Sequence, residues 1–126
     1  MKLEPENTGK SQTVTAVTDE AVTINGVPFT HSLTVMPDMK PTSWPIHSFD
    51  ELTLEDLIDL GQYRPDIVIL GTGLKTRFLN QDQAFSLLEK GILVECMNNR
   101  AACGAYNLIV AENRNALLAL IMEEIK

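Results

Sequence analysis

The sequence predicts a mixed α/β domain in which a run of short antiparallel strands precedes a strand–helix–strand unit. Two observations carry that reading. The first is Asn25-Gly26, set between runs rich in Val and Thr. Both central positions of a type I′ hairpin turn need φ > 0, and Asn-Gly meets that demand at least cost. The second is a pair of compact apolar runs, Asp66 to Leu70 and Ile92 to Met97, separated by a segment with helix-start and helix-stop signals. Strands covered on both faces read as such runs, and parallel neighbours need a crossover between them.

The elements follow in order. Residues 1 to 11 are polar, hold Pro5 and Gly9, and show no periodicity, so they read as a flexible leader to a single domain over 12 to 126. Thr13 to Val17 alternates as a strand. Asp19-Glu20 turns the chain into Ala21 to Ile24, Val27 to Thr30 returns after the hairpin, and Ser32 to Met36 is a fourth strand of the same meander. Pro28 has no N–H to give, so its strand belongs at an edge. Pro37 to His47 holds three prolines and reads as a crossing loop, with Trp44 as a plug over the core.

Thr53 starts a helix, with Asp56 at the third helical position and Leu52 placed to staple onto Leu57; Gly61 is the expected stop. The strand at Asp66 to Leu70 runs into Gly71-Thr72-Gly73. Asn80 with Gln83 forms a second capping box, and that helix stops at Gly91. After Ile92 to Met97 a third helix starts near Asn98 or Asn99, with Ala102, Tyr106, Ile109 and Val110 on its apolar face. Asn115 to Ile125 is ambiguous: Leu and Ala favour a helix by propensity, while the apolar run also suits a covered strand.

Composition narrows the function. Of 126 residues, 44% are hydrophobic and 21% charged, as in a globular protein. Seventeen acidic residues outnumber ten scattered basic ones, for a net charge of −7. Nucleic-acid and anionic-membrane binding both rest on clustered Lys and Arg, so both are disfavoured, whereas a basic protein partner is permitted. No apolar run approaches the ~20 residues that span a bilayer, and the polar start lacks a signal-peptide core. A cytoplasmic setting without membrane insertion is expected. Cys96 and Cys103 form no CxxC, and His31 and His47 stand in no ligand spacing. Neither metal nor cofactor is expected, and the thiols read as free and buried.

Several segments, in order, resemble the small Mth-like domain family: Ile24-Asn25-Gly26, Ser32-Leu33 with Pro37, Trp44, Pro65 through Gly73, Arg77-Phe78, Gly91 through Glu95, Ala101-Ala102-Cys103 and Tyr106-Asn107. The likeness spans roughly residues 13 to 122, a whole domain. Its members include mitochondrial complex I assembly factor three, an adipogenesis-associated cytosolic protein and many bacterial proteins without assigned activity. The resemblance implies three layers: a central mixed, mostly parallel sheet with helices on both sides, plus an added antiparallel β layer. It also implies that Asn115 to Met122 is a strand antiparallel to its neighbours. Many members carry Asp-Thr where this chain has Asn98-Asn99.

No catalytic signature stands out. Gly71-Thr72-Gly73 follows a buried strand as a phosphate loop does, but Thr76 stands where a dinucleotide fingerprint has its third glycine, and the P-loop spacing around Lys75-Thr76 fails. Glu95, within a covered strand, is a candidate general base, outweighed by its reading as half of a structural ion pair or a partly solvated strand end. Cys103, early in its helix, is a candidate reactive thiol, outweighed by its reading as a small buried hydrophobe. If the strands at 66–70 and 92–97 are parallel, their ends place Gly71, Thr72, Gly73, Arg77, Glu95 and Asn99 near one edge, where open sheets collect ligands. Backbone N–H groups, a helix start and Arg77 would there favour a small anion; the preferred alternative is that Asn99 merely caps and Arg77 pairs with a surface acid or is solvated. Against that stands a non-catalytic interaction or assembly domain with a protein partner. The empty catalytic search and the assembly-factor relative favour the latter.

Overall fold

The computed structural model describes residues 11–123, so all but the last residue of the expected leader lies outside it. β1 (Val14–Val17), β2 (Val22–Ile24) and β3 (Val27–Phe29) form a three-stranded antiparallel sheet. Asn25 and Gly26 sit at φ 48° and 84°, as a type I′ turn demands. Pro28 lies on β3, an edge strand of that sheet.

The larger sheet has five strands in the order β5-β4-β8-β6-β7, with β4 Leu33–Met36, β5 Met39–Ser43, β6 Ile67–Gly71, β7 Val94–Met97 and β8 Ala116–Leu120. β6 pairs parallel with both β7 and β8, while β4 pairs antiparallel with both β8 and β5. Parallel and antiparallel pairings are thus equal in number, and the sheet is mixed rather than mostly parallel. Three α-helices complete the described residues: α1 (Leu54–Leu60), α2 (Gln81–Glu89) and α3 (Asn99–Ala111).

Three expectations need correcting, and a fourth holds by a different route. β4 is not the fourth strand of the meander. All four of its residues are buried, and a strand with no exposed face needs cover on both sides, which only the larger sheet supplies. Part of the expected crossing loop is β5: Pro41 is tolerated because β5 is an edge strand beside a register irregularity between Thr34 and Met36. β8 is a strand, against its helix propensity, but antiparallel only to β4. It follows α3 as β7 follows α2, and this second crossover returns it parallel to β6. Gly61 stops α1 as expected, standing as its C-cap, but in a right-handed conformation at φ −65°. The chain continues as a 3₁₀ turn over Gly61–Tyr63, and Arg64 takes the left-handed conformation at φ 52°. A Cβ on Gly61 would lie 2.8 Å from Ile92 Cδ1, the end of a side chain that can shift.

Elsewhere the local chemistry matches the expectation. Thr53 with Asp56, and Asn80 with Gln83, form complete capping boxes. Gly91, at φ 77°, closes α2: its N–H reaches Leu88 O and that of Ile92 reaches Leu87 O, both at 2.9 Å. These are the two bonds of a Schellman cap.

Alternation along β6 and β8 divides the apolar residues. Ile67, Ile69, Leu118 and Leu120 cluster with Cys103 and Tyr106 of α3 and with Val22 and Ile24 of β2. Val68, Leu70, Leu117 and Ala119 cluster with Leu57 of α1, Leu87 of α2 and Trp44. Trp44 therefore closes one core, as its plug reading required. α3 also holds the small sheet by polar contacts. Asn107 accepts the Val14 N–H at 2.9 Å and donates to Val14 O at 2.8 Å, and Tyr106 Oη donates to Gln12 O at 2.8 Å.

Candidate functional site

β6 and β7 are adjacent and parallel, so their C-terminal ends meet at one edge, beside the start of α3. Asn98 caps α3 by accepting the Ala101 N–H at 2.9 Å. Asn99 is buried and ties three segments together. Its Oδ1 accepts the Gly73 N–H at 3.0 Å, its Nδ2 donates to Ile121 O at 3.0 Å, and its own N–H reaches Gly73 O at 2.9 Å. Gly71 has no side chain because one would collide with Leu120 and with Asn99 Oδ1. Gly73, at φ 106°, uses the freedom only glycine has there.

Thr72 is likewise turned to the chain itself. Its N–H reaches Met97 O at 2.8 Å; its hydroxyl donates to Lys75 O at 2.7 Å and accepts the Arg77 N–H at 3.0 Å. Arg77 extends to Asp50, with Nη2 2.6 Å from Oδ1, and its guanidinium lies 4.8 Å from the centre of the Phe49 ring. Glu95 is exposed on β7, an edge strand, so it does not sit inside a covered strand, and its solvated reading holds. The edge thus brings together Gly71, Thr72, Gly73 and Asn99. A shallow cleft of about 70 Å³ beside it is lined by Gly73, Asn98, Asn99, Arg100 and Asp19, and neither Arg77 nor Glu95 lines it. Arg100 there faces Asp19 at 3.2 Å.

The two thiols belong to different clusters, Cys103 with α3 and Cys96 with Leu87 and Val94. Burial pushes the Cys103 thiol up to about 12, the opposite of what a nucleophile needs. Cys96 is also raised, chiefly by burial, with the Leu79 backbone acting against the shift and Glu95 adding to it. Among the described residues no three His, Cys, Asp or Glu side chains converge as metal ligands, and no helix is long and apolar enough to cross a membrane.

A feature absent from the expected site is the outward face of α2. Leu87 is its one buried residue, while Phe85 and Leu88 are 63% and 57% exposed. Leu93 beside it is 42% exposed, and Phe78 just before the helix 74%. A groove of about 120 Å³ runs between α2 and β7, lined by Leu79, Ala84, Leu88, Ile92, Leu93 and Val94. The sequence does carry a signal for this. Ala84, Phe85, Leu87 and Leu88 spread apolar surface over more of α2 than one buried stripe requires.

These elements define a mixed α/β domain whose strand-end edge is tied internally and whose apolar surface faces outward from α2. The chain belongs to a family described as proteins of unknown function (DUF498/DUF598), whose pattern matches residues 14–121. Over 80 residues it is 31% identical to NADH dehydrogenase [ubiquinone] 1 alpha subcomplex assembly factor 3 of Danio rerio, covering 62% of this chain and 46% of that protein. It therefore spans less than half of that relative's length. Among solved structures, a Bordetella parapertussis protein superposes with TM-score 0.82 at 32% identity, over 88% of this chain and 95% of the other. A Xanthomonas campestris protein gives 0.81 at 28% identity, over 100% and 96%. A Bordetella pertussis protein described as a Mth938-like domain gives 0.77 at 26% identity, over 93% and 89%.

Proposed function

We propose that the chain is a non-catalytic interaction and assembly domain that binds a protein partner. The observation that carries this reading is the apolar surface on and around α2, where Phe78, Phe85, Leu88 and Leu93 all face solvent. Leu88 and Leu93 share one groove, and apolar side chains grouped at the surface mark sites that a partner covers. The likeness to a complex I assembly factor makes respiratory-complex assembly the first process to test. We further read residues 12 to 126 as one domain in three layers, with α3 and the small sheet over one face of the larger sheet and α1 and α2 over the other. The division of the core into two clusters supports that arrangement.

The alternative is an enzyme or sensor that takes a small anion at the edge formed by Gly71, Thr72, Gly73 and Asn99. The cleft beside Asn98 and Asn99 favours it. The interaction reading is preferred because the Thr72 and Gly73 N–H groups already have partners within the chain, and Arg77 already has Asp50.

The test is affinity capture from native lysate with quantitative mass spectrometry, comparing wild type with Phe85→Ser and with Leu108→Ser, on the outward face of α3. A protein held by wild type and lost from either variant, with thermal stability unchanged, supports the reading. Identical captures from all three overturn it.

A further inference from the structure

We propose that the cleft holding Arg64 and Lys90, together with the apolar groove that adjoins it, receives a short acidic segment of the partner protein. A carboxylate of that segment settles between the two cations, and an apolar side chain next to it lies against Leu88 and Leu93. The inference rests on the interaction reading and specifies its surface and its partner.

The cleft comes first. It holds about 250 Å³ and is lined by Arg64, Pro65, Lys90 and Gly91 and, at the wall it shares with the groove between α2 and β7, by Ile92 and Leu93. A Cβ on Gly91 would meet nothing within 4 Å, so the cleft is open above it. The groove adds about 120 Å³ beside the exposed ridge that Phe85 and Leu88 make on α2. Sites for drug-sized ligands start at roughly 300 Å³ and enclose most of the molecule. Two smaller spaces with a common wall suit instead the side chains of a segment laid across them, one anchor in each.

Charge then selects the occupant. Among the described residues no Asp or Glu lines either space. Arg77 pairs with Asp50 and Arg100 with Asp19, but neither Arg64 nor Lys90 is in an ion pair with another described residue. Asp66, close to Arg64 in sequence, accepts the Asn115 N–H at 2.9 Å, and Glu89, next to Lys90, is not part of the lining. Arg64 holds the left-handed conformation at φ 52°, which glycine would adopt without strain. Its N–H donates to Gly61 O at 3.0 Å, which fixes the root of the side chain. A guanidinium and an ammonium on one cleft favour a carboxylate, which the guanidinium can hold by two parallel hydrogen bonds. The net charge of −7 opposes acidic partners at long range, but salt screens that repulsion beyond roughly 10 Å. A second copy of this chain would bring its whole charge to the contact, whereas a short segment brings only its own few carboxylates.

The experiment titrates the full chain, isotope-labelled, with a short peptide, capped at both ends, that carries adjacent Glu and Leu among Ser and Gly. Two control peptides replace Glu by Lys, or Leu by Ser, and decanoate supplies a carboxylate on an apolar chain without a peptide. The expected result is saturable amide shifts at Arg64, Gly91 and Leu93 with the Glu-Leu peptide. Affinity should fall at least tenfold in the double variant Arg64→Gln/Lys90→Gln, which loses the charge-assisted contacts to the carboxylate, and several-fold in Leu88→Ser. All three side chains are exposed, so neither variant should unfold.

No shifts over residues 61–64 and 88–94 up to millimolar peptide, equal affinity for the Lys or the Ser peptide, or unchanged affinity in either variant would each overturn the inference. Decanoate bound as tightly as the peptide would put a small amphipathic carboxylate in place of the segment. Shifts at the same residues on concentrating the chain alone would put a second copy there. Either result overturns it. Its failure is separable from that of the interaction reading. A partner lost from Phe85→Ser or Leu108→Ser but kept by Arg64→Gln/Lys90→Gln in the lysate capture leaves the reading standing and removes the cleft.

Discussion

Replacing Asn99 by Ala decides whether the strand-end edge is scaffold or site. The side chain accepts the Gly73 N–H at 3.0 Å and donates to Ile121 O at 3.0 Å, with Met122 Sδ a further contact at 3.6 Å. Asn99 is 7% exposed, so its truncation strands a buried donor and a buried acceptor. Each such group costs about 1–3 kcal/mol. The sum is about 2–6 kcal/mol, or a fall in Tm on the order of 10 °C for a chain of this size. Asn98→Ala is the internal control. It removes one exposed cap, worth about 1 kcal/mol. Urea unfolding of both variants, with m checked for constancy, measures the two costs directly. Scaffolding requires Asn99→Ala to lose at least twice what Asn98→Ala loses. If the two lose equally, and if millimolar phosphate raises the Tm of wild type but not of Asn99→Ala, the scaffold argument is refuted and the side chain belongs to a ligand site.

Gly71→Ala should destabilise by about 1–3 kcal/mol through overpacking, because its Cβ meets Leu120 and Asn99 within the sheet; thermal melts check this. Gly91→Ala should cost only about 1–2 kcal/mol, for a left-handed residue with a Cβ in open space, and circular dichroism should show α2 intact. The Cys103 thiol titrates near 9 when unfolded and near 12 when folded, so its stabilisation is complete below pH 9 and is lost as pH rises toward 12. Each unit in that window removes about 1.4 kcal/mol, and Cys103→Ala, followed by urea midpoints from pH 8 to 10.5, should remove that part of the decline. A thiol reagent at pH 8 should modify half-buried Cys96 well before Cys103.

What the sequence disclosed, and what it hid, follows from the range of the interactions involved. The hairpin at Asn25-Gly26, both capping boxes and the Gly91 stop are local agreements between a residue and its own backbone, and all are present. The placement of β4 and the direction of β8 depend on which surface covers them, which no local pattern states. The Ala and Leu of β8 favour a helix by propensity, yet all five residues are buried between β4 and β6, and burial of that extent outweighs a few tenths of a kcal/mol per residue. The proline-rich stretch hid β5 because an edge strand tolerates what a central strand forbids. At the candidate site, the convergence of Gly71, Thr72, Gly73 and Asn99 followed from two parallel strands ending together. The sequence allows Arg77 to pair with a surface acid, but it does not show that the acid is Asp50, since 27 residues separate them.

The edge that suits ligands in many open α/β sheets is occupied here by the chain's own groups. Gly73 N–H is held by Asn99, Thr72 N–H by Met97, and Asn98 N–H by Thr76 Oγ1 at 3.1 Å. A ligand entering there would exchange existing hydrogen bonds for new ones, a process with little net gain. Phe85 and Leu88 stand differently. Each is more than half exposed, and full burial of such a side chain contributes about 1.5–3 kcal/mol. Covering the α2 ridge therefore offers several kcal/mol that the folded monomer leaves unused, even before charge is considered. The same comparison explains why α2 can hold its position with Leu87 alone buried. Its Asn80–Gln83 box and Gly91 cap fix both ends, which frees the remaining apolar residues to face outward. On energetic grounds, the proposed recognition falls to that ridge, and the hydrogen bonds of the polar edge tie the chain to itself.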